Sequence, residues 1–225
     1  PMLAGAMIGE ITKSTSMGDV APLLIIAMAI FAASFVIIYL TKIDEPETEK
    51  SNVVEGIKGA LKYKHLVLGI IAIFFYVGIE VGIPGQLLFY LSKPVADGGV
   101  LGSAAIAGVI AGFYWLLMLV GRLTSAFISG AVSSRAQLTT VSAVALILLV
   151  AAIFMPETST ITLAGANVPF KVALIVACGL CTSVMWGVVF NLATEGLGKY
   201  TAAASGLFMT MVVGGGIMPF IQNIA

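Results

Sequence analysis

Charge is scarce in this chain: Asp, Glu, Lys and Arg make up 10% of 225 residues, against roughly a quarter in soluble domains. With 60% of residues apolar, there is more hydrophobic surface than one water-surrounded core can hide, which excludes a soluble enzyme. Neither sign of charge is in excess, eleven basic residues against eleven acidic, so no basic face is available to hold nucleic acid through its phosphates. There is one histidine, His65, and there are two cysteines, Cys178 and Cys181. The C-x-x-C spacing lies in an apolar run without further zinc ligands and without the access that redox work needs, so neither metal nor cofactor is expected. No Asn-x-Ser/Thr acceptor occurs. Nothing near Pro1 combines a basic stretch, a short apolar core and a cleavage site, and without an initiator Met the chain reads as a fragment of a longer one.

What the chain has in abundance is uncharged length. A bilayer core about 30 Å thick takes roughly 20 apolar residues of helix to cross. Residues 20–41, 136–156, 172–194 and 200–225 carry no Asp, Glu, Lys or Arg; 65–92 carries only Glu80 and 98–134 only Arg122. None alternates polar and apolar residues as a membrane barrel strand would. The expectation is an all-α polytopic bundle with spans at about 20–41, 66–91, 101–130, 136–155, 170–194 and 201–224. Residues 1–18, with Glu10 and Lys13, read as the end of an earlier helix. The polar stretch 42–64, with five Lys and five acidic residues, is the obvious boundary and is helix-compatible after Ser51. Residues 93–99 and 156–171 read as turn-rich loops. With the linker inside, eight basic residues lie on its side and three on the other, which makes it cytoplasmic.

A charge near the bilayer centre persists mostly against a partner or a water-filled cavity. Glu80 is such a charge, four residues after Tyr76 and so on the same helix face. Pro84 removes the hydrogen bond to the carbonyl of Glu80, and Gly82 and Gly85 loosen the same turn, so a hinge is expected there. The freed carbonyl, the carboxyl and Gln86 suit a hydroxyl-rich or cationic solute; the other reading is a neutral Glu bonded to a neighbouring helix. Arg122 either snorkels to the headgroups or pairs with Glu195 in a clamp at the cytoplasmic mouth. Tyr114 and Trp115 could stack on a sugar ring or belong to packing. Ser183, Gly187, Asn191 and Thr194 recur on one face, which either lines a solute path or forms a tight helix contact. Gly78, Gly82, Gly108 and Gly112 read as packing, and His65 as interfacial.

Three stretches, FFYVGIEVGIPGQLLFYL at 74–91, FYWLLMLVGR at 113–122 and NLATEGLGKYTAAASGLFMTMVVGGGIMP at 191–219, resemble the sugar:proton symporters related to L-fucose permease and the bacterial glucose/galactose transporters, within the major facilitator superfamily. The resemblance implies two six-helix halves rocking about a midplane sugar site. Residues 1–41 would be the end of the N-terminal bundle (the tail of helix five, then helix six), 42–65 the cytoplasmic linker and 66–225 the C-terminal bundle, helices seven to eleven. It implies substrate contacts from Tyr76, Glu80, Gln86, Tyr114, Trp115, Trp186 and Asn191, and gating by Arg122 and Glu195. The implied partners are a monosaccharide, a coupling proton, membrane lipid and the N-terminal half that carries the coupling carboxylates, in a bacterial inner membrane. The rival readings are a carrier of a drug or organic anion, a channel or structural subunit, and a membrane hydrolase, the last lacking a base near any nucleophile.

Overall fold

The computed structural model describes residues 16–42 and 53–224. Six helices in it are long and apolar enough to cross a membrane. The first, α1 (Met17–Leu40), opens with the backbone N–H of Ser16 donating to Asp19 Oδ2 at 2.8 Å. None of its residues is buried, so among the described residues its apolar surface has no protein cover. The tail expected at 1–18 lies outside the described residues up to 15, as does most of the linker's charged first part, 43–52. The linker's second part is helical as expected: α2 (Val53–Ala60) buries Gly56, Gly59 and Ala60.

The remaining spans form the bundle: α3 (Lys64–Ser92), α4 (Ala104–Ile128), α5 (Ser134–Phe154), α6 (Phe170–Thr194), and a last span divided into α7 (Thr201–Thr210) and α8 (Gly214–Ile224). Ser103 and Ser133 start α4 and α5, each side chain accepting the backbone N–H three residues on at 3.3 Å. The central element is α6, which packs on α3, α4 and α5, while α8 packs on α3. Lipid gives helices no hydrophobic reason to associate, so close backbone approach and interhelical hydrogen bonds do the work. Gly179 shows the first: a Cβ there would collide with the backbone carbonyl of Tyr114 on α4. The second is a hub at Thr182, whose carbonyl accepts the Tyr76 hydroxyl at 2.8 Å and whose Oγ1 shares a 2.9 Å hydrogen bond with Tyr114. Three helices thereby meet at one residue.

Two expectations need revision. The stretch 156–171 contains an antiparallel hairpin, β1 (Thr160–Leu163) with β2 (Ala166–Pro169), Thr160 opposite Pro169. Its two turn residues, Ala164 and Gly165, have φ of 50° and 78°, the paired positive values of a tight hairpin turn, and fully buried Val168 packs into a cluster with Leu87, Leu91 and Val172. The last span is interrupted by a single 3-10 turn at Met211–Val213, just before three successive glycines that weaken helix propensity. The α3 helix continues through buried Pro84, so the hydrogen bond absent there does not end it.

Gly179→Ala in the full-length protein should lower the detergent melting temperature by several degrees, since overpacking a close contact costs about 1–3 kcal/mol. Gly206→Ala, where a Cβ meets open space, should leave it unchanged; equal effects would remove the close-approach argument.

Candidate functional site

A cavity of about 830 Å³ is lined by residues of α3, α4, α5 and α6. At its inner end Arg122 Nη2 donates to Glu80 Oε1 at 3.1 Å, an ion pair between α4 and α3. The Glu80 side chain is 11% exposed and that of Arg122 54% exposed, so the carboxylate is held inside the protein while the guanidinium faces the cavity. The pair makes the cavity's formal charges cancel. The expected clamp between Arg122 and Glu195 is therefore not formed: Arg122 lies at mid-helix, within reach of Glu80, while Glu195 caps the end of α6 and pairs with no cation among the described residues.

The rest of the lining combines uncharged hydroxyl, amide and indole groups with the apolar Ala126, Val184 and Val188. Ser125 and Ser129 follow Arg122 at three and seven residues, one face of α4, and Ser134 and Gln137 come from the first turn of α5. From α6 come Ser183, Trp186, Gly187 and Asn191. Hydrogen bonds orient these groups across helices: Ser125 Oγ donates to Gln137 Oε1 at 3.2 Å, Gln137 Nε2 donates to the Val132 carbonyl at 2.8 Å, and Asn191 Nδ2 donates to Ser134 Oγ at 2.9 Å. Trp186 is held by rings on two sides, stacked on Phe190 with centroids 5.7 Å apart and edge-on to Phe208 at 5.9 Å.

Glu80, Arg122, Trp186 and Asn191 are thus brought together from the residues singled out in the sequence, and three members of the small and polar α6 face, Ser183, Gly187 and Asn191, line the same cavity. The fourth, Thr194, bonds its own helix at the Phe190 carbonyl. Tyr76 and Tyr114 are buried and both bond Thr182, and Tyr76 also stands beside the Glu80 carboxyl. Trp115 meets the Tyr114 ring edge-on and is 38% exposed, away from the cavity lining. Gln86, with Gly82, one of the three residues expected at a hinge, lines a separate cavity on the far side of Glu80, while Pro84 is buried in α3 and a Cβ at Gly85 would meet open space. Glu195 lines a third cavity, about 670 Å³, with His65 and Arg135, which shares Ser134 and Asn191 with the first. His65 Nε2 lies 3.0 Å from the Glu195 carbonyl, tying the start of α3 to the end of α6. Sequence reasoning missed Ser125, Ser129, Ser134 and Gln137. The first two were discoverable from their spacing to Arg122; the others carry no signal until α5 is set against α4.

A double-mutant cycle on melting temperature with Glu80→Gln and Arg122→Gln should give a coupling of about 1 kcal/mol, low in the range for contacting charges because Arg122 is half-exposed. The same cycle with Glu195→Gln in place of Glu80→Gln should be additive.

Comparison with known proteins places these features in a family. Residues 1–219 match the family model of the Major Facilitator Superfamily. The chain is 34% identical to a glucose/galactose transporter of Brucella abortus over 201 residues, covering 89% of this chain and 45% of that one. A putative glucose/galactose transporter of Helicobacter pylori is 29% identical, with 95% of this chain and 51% of the relative covered. Among solved structures, the E. coli fucose:proton symporter shares the fold at a TM-score of 0.66 and 20% identity, over 92% of this chain and 48% of that one. The chain spans about half the length of the curated relatives it matches. It is a multi-pass membrane protein of the all-α, helix-bundle type, and it belongs to the major facilitator superfamily.

Proposed function

We propose that this chain forms the C-terminal side of a proton-coupled monosaccharide symporter, of the fucose, glucose or galactose class, working by alternating access in a bacterial inner membrane. Residues 66–225 are its C-terminal bundle, residues 1–41 the end of an N-terminal bundle, and 42–65 the cytoplasmic linker between them. An N-terminal half, facing the cavity at Glu80, completes the site and carries the coupling carboxylates. No step of covalent chemistry is involved.

The observation that carries this reading is the charge balance of the cavity. Glu80 and Arg122 neutralise each other at 3.1 Å, and the polar groups around them, set among Ala126, Val184 and Val188, are uncharged hydroxyls, amides and an indole. A drug cation or organic anion calls for an uncompensated charge of the opposite sign; a neutral polyol calls for many donors and acceptors and an aromatic face for its C–H surface. Trp186, fixed between Phe190 and Phe208, supplies that face, and Ser125, Ser129, Ser134, Ser183, Gln137 and Asn191 supply the polar groups. Glu80, Trp186 and Asn191 are the substrate contacts, with Arg122 holding Glu80 in place. Tyr76 and Tyr114 position α6 through Thr182. The relatives named as glucose/galactose transporters support the same solute class.

Full-length protein in proteoliposomes should accumulate labelled glucose, galactose or fucose saturably when an inward proton gradient is imposed, and Glu80→Gln should reduce that uptake at least about tenfold, since it leaves Arg122 without its counter-charge. Absence of sugar uptake with and without the gradient would overturn the assignment; normal uptake by Glu80→Gln would remove Glu80 from the site.

A further inference from the structure

The ion pair between Glu80 and Arg122 leaves most of the guanidinium unused. Its bond runs from Nη2 to Glu80 Oε1 at 3.1 Å, which occupies one of the five N–H donors that a guanidinium carries. The others have no hydrogen-bond partner among the described residues. A guanidinium whose whole task was to neutralise a carboxylate would do so best as a two-bonded fork. Here the Arg122 side chain is 54% exposed while that of Glu80 is 11% exposed, and both line the 830 Å³ cavity. The polar neighbours are engaged elsewhere: Ser125, one turn along α4, gives its hydroxyl to Gln137 Oε1, and Ser183 donates to the Leu180 carbonyl. A close helix contact fixes where the arginine stem leaves α4. A Cβ at Gly121 would collide with Ser183 and approach the Leu180 carbonyl, so α4 is pressed on α6 immediately beside Arg122.

We propose that Arg122 is itself a substrate contact and sets specificity, its free N–H groups donating to the oxygens of two neighbouring hydroxyls of the sugar. The proposal rests on the sugar reading above and deepens it, adding a direct contact to the part Arg122 plays in holding Glu80. A guanidinium presents its N–H groups in one rigid plane, whereas a lysine ammonium acts as a point charge. A vicinal diol offers two oxygens side by side, which the planar fork can meet together. Because Glu80 already cancels the charge, these donors serve a neutral solute without demanding an anion, and hydrogen bonds from a charged donor are the stronger class. The carboxylate at 3.1 Å sets an acceptor next to the donors. Hydroxyls, which both donate and accept, match that alternation, and an all-acceptor anion does not. Trp186 lines the same cavity from α6, and a ring resting its C–H face on the indole turns its hydroxyls outward at the edge.

The test is equilibrium binding of galactose and its monodeoxy analogues to purified full-length protein, unsubstituted and carrying Arg122→Lys, which keeps a positive charge for Glu80 and removes the fork. In the unsubstituted protein, deleting either of two neighbouring hydroxyls should weaken binding about tenfold. In Arg122→Lys those two penalties should largely vanish while the penalties at the other positions stay as they were, a pattern that a general structural defect does not produce. The paired substitution Glu80→Gln with Arg122→Gln leaves no charge unpaired and should erase the same two penalties, so the outcome does not hang on the folding of one variant. If the variants keep the unsubstituted profile, or if every penalty falls together, Arg122 acts only through Glu80 and the proposal is overturned while the sugar reading stands. Failure of the unsubstituted protein to bind any of these sugars overturns both.

Discussion

Every polar side chain in the middle of this bundle must find its partner within the protein, because lipid offers none. That constraint organises the structure. Glu80 and Arg122 face each other across α3 and α4, and Tyr76 and Tyr114 converge on Thr182 from two different helices. Each contact fixes a helix rotation as well as satisfying a group: with Tyr76 bound to the Thr182 carbonyl, the face of α3 bearing Glu80 is turned toward the groove that α4 and α6 line.

The two polar layers divide the labour. The Thr182 hub is shut away from the cavities and holds helices at a spacing that Gly179 makes short. The ion pair sits at the cavity wall, with its guanidinium half out. An ion pair within one bundle and open to its cavity has a property the hub lacks, since a proton or a solute hydroxyl can compete for the carboxylate. Interactions weakened by such competition are the ones alternating access needs, whereas the hub has no reason to change.

The spans were legible to within a few residues, because crossing lipid demands length without charge and little else, and the ends of α6 fell where charge and turn residues put them. The hairpin was not: TITL and ANVP are too short to signal strands, and what secures them is Val168 against Leu87 and Leu91, contacts that exist only once α3 is in place. In the site, Glu80 stood out because a carboxylate in lipid is costly, and Asn191 because it recurs with small residues on one face. The partner of Arg122 could not be read in the same way. Helical periodicity says which residues share a face of one helix, and nothing about which face of a neighbour they meet. Glu195 was chemically as suitable as Glu80 and lies at the wrong depth.

The sequence by itself determined that this is a multi-pass membrane bundle, roughly where its spans lie, and which few polar residues would have to be accounted for, since each follows from the free energy of placing a residue in hydrocarbon. Only the tertiary structure decided that Arg122 neutralises Glu80, that Gln86 and Gln222 belong to a cavity apart from that pair, and that the two tyrosines both bond Thr182. Those outcomes depend on the rotation and depth of one helix against another, which are set by packing contacts between residues tens of positions apart.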